Sequence, residues 1–151
     1  MRKRLPPVIA VLAATTVLLT PSTGIAAAPE PITIQTHGVF TGPSSAAGTF
    51  VVSGGVSDSG TYTEAFRFAG STLHVVKTLS GQAGTITLAA QGVVVWTSPT
   101  TATFAAGHWQ VVAGTGAYTE LRAGGTPGAV GSADLAAGTA DVVHTGEGQL
   151  R

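Results

Sequence analysis

The sequence predicts an all-β fold in a single domain, on three observations. Beyond Pro31, apolar residues rarely recur at the three- and four-residue spacing of an amphipathic helix. Short runs in which apolar and polar residues alternate, a pattern typical of strands, are instead separated by glycine. Turn-forming residues recur between these runs, which indicates a β-sandwich or a β-barrel. No internal repeat or linker divides the region, so we expect one domain.

The N-terminal segment that precedes this domain has the three parts of a secretory signal. Three of the first four residues are basic, an apolar stretch follows, and Ala26–Ala28 offers small residues for cleavage. The apolar stretch, at about 15 residues, is shorter than the ~20 that a membrane-spanning helix needs. We therefore predict a signal peptide at residues 1–28, cleaved after Ala28. The mature domain, residues 29–151, is expected to be secreted and free of the membrane.

Ten alternating runs follow in the mature chain. Turn signals such as Gly70-Ser71 and Ser98-Pro99 separate several of them, and Pro127-Gly128 predicts a further turn at the ninth run. In chain order, the runs lie at Ile32–Gln35, Gly48–Ser53, Thr61–Ala69, Thr72–Leu79, Gly84–Ala90, Val93–Thr97, Thr101–Ala105, His108–Ala113, Thr126–Val130 and Thr139–Gly146.

The third and fourth runs predict a hairpin whose register follows from its turn. A two-residue turn at Gly70-Ser71 places Ala69 opposite Thr72, and every apolar residue of one face then meets an apolar residue. A slip of one residue would turn one strand over and destroy this match. The predicted pairs are Phe68 with Leu73, Phe66 with Val75, Glu64 with Lys77 and Tyr62 with Leu79 on one face, and Arg67 with His74 and Thr63 with Thr78 on the other.

Glu64 and Lys77 are the candidate catalytic residues, because the predicted register sets them side by side on the apolar face. Two charges in that position must be paired or must face a water-filled interior. A carboxylate there can carry a proton in a cofactor-free cyclisation or isomerisation, with the ammonium of Lys77 tuning it. A structural ion pair near the rim of a barrel explains the same two residues without any chemistry.

The glycine-rich stretch Gly114–Gly125 has two interpretations. A dinucleotide-binding fingerprint would need a glycine where Thr119 stands, and the Gly-Lys step of a nucleoside-triphosphate loop is missing from the sequence. Fold closure is the better interpretation. The glycines allow a sharp turn, and the three-residue spacing of Tyr118 and Leu121 places both side chains on one side of a helical turn, over one end of a barrel.

Three motifs in this part of the chain also match a known pattern. They are Gly-x-Trp-x-Val at Gly107–Val111, Gly-Thr-Gly-x-Tyr at Gly114–Tyr118, and Leu121 followed by the glycines Gly124 and Gly125. The pattern resembles the allene oxide cyclase-like and dirigent-like barrels, especially small secreted bacterial members, although the closing glycines are shifted by one residue. The resemblance implies a calycin-type, eight-stranded antiparallel β-barrel. Known members cyclise or steer small molecules without a cofactor, but the matched residues are structural and speak for fold more than for reaction.

Composition disfavours several other classes of function. The chain has no cysteine, which excludes disulfides, thiolate metal sites and thiol catalysis. Its four histidines lack metal-ligand spacing, and no Gly-x-Ser-x-Gly elbow indicates a serine hydrolase. Few charges remain after the signal segment and acidic residues outnumber basic ones, so no nucleic-acid partner is expected.

Three functional hypotheses follow. The first is binding of a small apolar molecule inside the barrel, without cofactor or metal. The second is a cyclase or isomerase acting in the same lumen through Glu64 and Lys77, and the third is an exported structural or interaction protein with a filled barrel. The run Val93–Val95 fits either homo-oligomerisation through the barrel wall or a strand buried on both faces. The predicted ligand-binding residues are Tyr62, Phe66, Phe68, Trp109 and Tyr118.

Overall fold

A computed structural model describes residues 27–151, so all but the last two residues of the predicted signal peptide lie outside the described part of the chain. Eight antiparallel strands close into one barrel, in which each strand pairs with its neighbours in sequence and β8 returns to β1. The predicted all-β, eight-stranded antiparallel barrel is confirmed. The strands are β1 (Glu30–Gly42), β2 (Ser45–Gly54), β3 (Asp58–Ala69), β4 (Thr72–Gly81), β5 (Thr85–Trp96), β6 (Thr101–Gly114), β7 (Arg122–Asp134) and β8 (Thr139–Gln149).

The β3–β4 hairpin has the register that its sequence predicts. All six predicted pairs are present, including Glu64 opposite Lys77 and Phe66 opposite Val75. Gly70 takes a φ of 63° in the two-residue turn, a left-handed conformation that glycine adopts without steric cost. The local pairing of apolar residues and the turn chemistry were therefore sufficient to determine this hairpin.

Two strands are longer than the alternating runs suggest. The runs at 84–90 and 93–97 belong to the single strand β5, and those at 101–105 and 108–113 belong to β6. The interruption between the runs is a register shift around Gly92 and Gly107, where a bulge changes which residues face inward. The predicted turn at Pro127-Gly128 is wrong, because both residues lie inside β7 at another irregular stretch of pairing.

Parity divides the barrel into an interior and an outer wall. Val94 points inward and is buried, whereas Val93 and Val95 are exposed on the outside. This strand is consequently not buried on both faces, and homo-oligomerisation through the wall stays a prediction. Among the described residues, no helix is long and apolar enough to cross a membrane.

One end of the barrel is closed by the segment between β6 and β7. This segment contains a short 3₁₀ helix, Gly116–Tyr118, and places Tyr118 and Leu121 over the core, where both are buried. Gly116 has a φ of 60°, which the turn into this helix requires. The prediction that the glycine-rich stretch closes the fold agrees with this arrangement.

Asp58 connects the closing segment to the neighbouring part of the barrel through hydrogen bonds. The Tyr118 hydroxyl donates to Asp58 Oδ2 at 2.7 Å, and the backbone N–H groups of Gln82 and Ala83 donate to the same carboxylate. Desolvation of this partly buried carboxyl acts to raise its pKa, but these hydrogen bonds outweigh it and lower the pKa below the ordinary value. The core beneath the closure is continuous and apolar, and includes Ile34, Phe50, Leu79, Ile86, Leu88 and Trp109.

Candidate functional site

The opposite end of the barrel contains a cavity of about 390 Å³. The hairpin turns that follow β1, β3, β5 and β7 surround this end, so the cavity opens between them. Small side chains explain why the lumen is not filled here, since alanines occupy inward positions on four neighbouring strands. These alanines are Ala90, Ala102, Ala129, Ala133 and Ala140.

Most of the cavity wall is apolar. Phe66 packs edge-to-face against Phe40 at 6.0 Å and against Phe68 at 6.2 Å, measured between ring centroids. At the mouth, Phe68, Trp96 and Leu135 line the cavity while half of each side chain remains exposed. An apolar molecule that enters would therefore meet apolar surface from the rim to the interior.

A polar cluster, consisting of Thr36, Glu64, Lys77 and His144, lies between this cavity and the filled half of the barrel. Lys77 Nζ lies 2.9 Å from Glu64 Oε2 and donates to Thr36 Oγ1 at 3.0 Å. The lysine side chain is 1% exposed, whereas that of Glu64 is 11% exposed. Burial lowers the pKa of Lys77, and the neighbouring carboxylate of Glu64 acts in the opposite direction.

The ring of Tyr62 contacts Lys77 on the side of the buried core. The Lys77 ammonium lies 4.8 Å from the centroid of the Tyr62 ring, within the range of a cation–π interaction. The Tyr62 hydroxyl occupies the space over Gly38, where the Cβ of any other residue would collide with it. Burial, reinforced by the charge of Glu64, raises the pKa of Tyr62 to about 12, so the phenol remains neutral.

His144 completes the polar cluster from β8. The side chain lines the cavity, is almost fully buried, and packs edge-to-face on Trp109 with ring centroids 5.8 Å apart. Burial, followed by the nearby charge of Lys77, lowers its pKa to about 3, so the ring is neutral at physiological pH. Its Nδ1 atom is buried and has no hydrogen-bond partner among the described residues.

The predicted site residues fall into three groups in the structure. Glu64, Lys77, Phe66 and Phe68 line the open cavity together. Tyr62 and Trp109 belong to the buried core on the inner side of the polar cluster, where Trp109 Nε1 donates to the carbonyl of Thr145 at 2.9 Å. Tyr118 lies in the closure at the far end of the barrel.

Thr36 and His144 are two site residues that sequence reasoning missed. Alternation along β8 places His144 on the inward side with Ala140 and Val142, so a signal for its orientation was present. Its position beside Lys77 has no local signal, because it depends on β8 pairing with β1 across the seam of the barrel. The contact between Thr36 and Lys77 is equally non-local, since the two residues are 41 positions apart in sequence.

The described residues contain no group of three or more histidine, cysteine or acidic side chains arranged to hold a metal ion. Comparisons of the chain with protein families, with curated proteins and with solved structures found no match. The candidate site is accordingly defined by its own geometry: an apolar cavity, open at one end, with a carboxylate, an ammonium and a neutral imidazole at its inner limit.

Proposed function

We propose that this protein binds a small, mostly apolar molecule inside the open end of the barrel. The observation that carries the proposal is the cavity of about 390 Å³, whose wall is apolar apart from Glu64, Lys77, Gln91 and His144. Cavities of this size and character are typical of small-molecule sites. At roughly 30 Å³ per non-hydrogen atom, the share of liquid volume that a water molecule takes, the space suits a guest of about 13 such atoms.

The exposed rim supports the same proposal. Phe68, Trp96 and Leu135 are large apolar side chains that remain about half exposed around the mouth. Covering part of this surface with a guest removes apolar area from water, which is favourable at about 25 cal/mol for each Å². The rim thus provides a reason for an apolar molecule to partition from water into the barrel.

Titration of the protein with naphthalene, followed by calorimetry or by the fluorescence of the ligand, tests the proposal. Ala133→Phe places a large side chain in the cavity and is expected to reduce affinity at least tenfold, because the guest and the new ring compete for one volume. Ser132→Phe is the matched control, since Ser132 immediately precedes Ala133 in β7 and is exposed. Equal binding by both variants would place the naphthalene elsewhere, and no binding by the unmodified protein would refute the proposal.

A cofactor-free cyclase or isomerase is the second candidate function. It is favoured by the Glu64 carboxylate, a proton-accepting group that lines the cavity beside the ammonium of Lys77. Enolisation of tetralone in D₂O, followed by NMR, measures proton transfer to a guest of suitable size. Catalysis would be supported by an α-proton exchange rate that is higher with the protein than in buffer alone and falls to the buffer rate in a Glu64→Leu, Lys77→Met double variant. An α-proton exchange rate equal to that in buffer would contradict the enzyme hypothesis and leave binding as the proposed function.

Export is proposed from the N-terminal sequence, and membership in the allene oxide cyclase-like or dirigent-like group stays a prediction. If the signal is cleaved after Ala28, the protein recovered from culture medium begins at Pro29. Intact-mass measurement of the secreted protein tests this directly. The same sample under native ionisation reports whether a guest molecule travels with the barrel.

A further inference from the structure

We propose that the guest of this barrel carries a hydrogen-bond donor, such as a hydroxyl group, and presents it to the Glu64 carboxylate at the inner end of the cavity. This inference rests on the proposed binding function and specifies the chemistry of the ligand. The class of ligand is an apolar alcohol or phenol, as opposed to a hydrocarbon, a carboxylic acid or an amine.

The first argument is the way in which Lys77 is already engaged. Its ammonium contacts Glu64 Oε2 at 2.9 Å, donates to Thr36 Oγ1 at 3.0 Å, and faces the ring of Tyr62 at 4.8 Å. An ammonium has three N–H donors; Glu64 and Thr36 engage two of them, and the charge faces the Tyr62 ring. The side chain is 1% exposed, so Lys77 presents far less surface to a guest than Glu64 does.

The second argument is the unused accepting capacity of Glu64. A carboxylate has two oxygens with about four lone-pair sites, and the contact with Lys77 uses Oε2 alone. No described side chain other than Lys77 forms an ion pair with Glu64, and the carboxylate side chain keeps 11% exposure while lining the cavity. The polar atom that a guest encounters is consequently an acceptor that bears negative charge.

The third argument is the state of His144, which lines the same cavity. Its side chain is buried and packs edge-to-face on Trp109 at the inner end of the cavity. Its Nδ1 atom is buried and has no hydrogen-bond partner among the described residues, and in one tautomer of the neutral ring this nitrogen accepts a hydrogen bond. The second oxygen of Glu64 and the unpartnered Nδ1 of His144 therefore both border the inner end of the cavity.

The charges of the polar cluster compensate each other and therefore disfavour the binding of a charged ligand. Glu64 and Lys77 compensate each other at 2.9 Å and the imidazole is neutral, so the cluster has no net charge to balance an ion. A carboxylate guest would bring a second negative charge against Glu64, and an amine would bring a second positive charge near Lys77. Gln91, the remaining polar residue of the cavity wall, also borders a depression on the outer surface beside His74 and His108.

Matched bicyclic ligands test the inference in competition titrations. Naphthol carries a donor, methoxynaphthalene has nearly the same shape without the donor, and naphthoate carries a negative charge. Because a hydrogen bond to a charged acceptor is strong once water is excluded, naphthol is expected to bind roughly tenfold or more tightly than the other two. In a Glu64→Leu, Lys77→Met double variant, this preference should fall to within about threefold while naphthalene still binds.

The outcomes distinguish this inference from the proposed function. If naphthol, methoxynaphthalene and naphthoate bind equally well, the barrel binds apolar molecules but the assignment of a donor is overturned. Tightest binding of naphthoate would likewise overturn it and would assign recognition to Lys77. Retention of the naphthol preference in the double variant would exclude Glu64 as the acceptor. Failure of all ligands, naphthalene included, would refute the binding function itself.

Discussion

Removal of Glu64 alone is expected to destabilise the barrel severely, because its partner cannot reach water. Lys77 is 1% exposed and lies 2.9 Å from the carboxylate, so Glu64→Leu leaves an uncompensated ammonium inside the protein. Breaking a buried pair in this way costs about 3–5 kcal/mol. With about 4 °C lost for each kcal/mol in a domain of this size, the melting temperature should fall by roughly 12–20 °C.

The double variant Glu64→Leu, Lys77→Met is the decisive comparison. Replacing both charges with apolar side chains of similar volume removes the desolvation cost together with the attraction, and such exchanges are often neutral or stabilising by about 1–4 kcal/mol. Thr36 loses its hydrogen bond from Lys77 in this variant, and we expect that loss to reduce the gain in stability by about 1 kcal/mol. Urea denaturation, followed through the fluorescence of the buried Trp109, measures all three proteins.

The pH dependence of the single variant provides a second readout. The pKa of Lys77 is already lowered from 10.5 by burial, and loss of Glu64 removes the attraction that opposes this shift. The folded protein then releases a proton that the unfolded chain retains, so the stability of Glu64→Leu should recover as pH rises toward 10.5. A Glu64→Leu variant within about 1 kcal/mol of the unmodified protein at neutral pH would refute the buried-ion argument, since Lys77 would have found solvent.

Three further predictions concern residues around the site and the closure. Tyr118→Ala should lower the free energy of unfolding by roughly 2–4 kcal/mol in urea, because the buried ring closes the barrel; a negligible loss would mean that the closing segment is dispensable. His144→Leu should flatten the acid side of the stability profile. The folded pKa of about 3 lies below the ordinary 6.5, so the unmodified protein loses about 1.4 kcal/mol per pH unit as pH falls through this window. His108→Leu, on the exposed outer face, is the control that should retain the slope. Gly38→Ala should cost about 1–3 kcal/mol by displacing the Tyr62 hydroxyl, measurable by thermal unfolding, and Tyr62→Phe in the same background should restore part of it.

The β3–β4 hairpin and the closing segment were predictable because their determinants are close in sequence. A two-residue turn and the alternation of apolar residues set which side chains oppose each other, and therefore set Glu64 against Lys77. Likewise, the three-residue spacing of Tyr118 and Leu121 was sufficient to place both on the closure. The bulges near Gly92 and Gly107 were not predictable in this way, since a register shift is decided by both strands of a pair.

What the sequence by itself determined is the alternation along the β3–β4 hairpin, and with it the side chains of these two strands that face inward. Tertiary structure alone decided which inward residues meet, because Thr36 and His144 reach Lys77 only after β8 pairs with β1 and the barrel closes. Closure also decided that the lumen is filled at one end and open at the other. The strand stagger brings large residues such as Trp109 and Phe50 together in one layer and leaves alanines facing one another in the next.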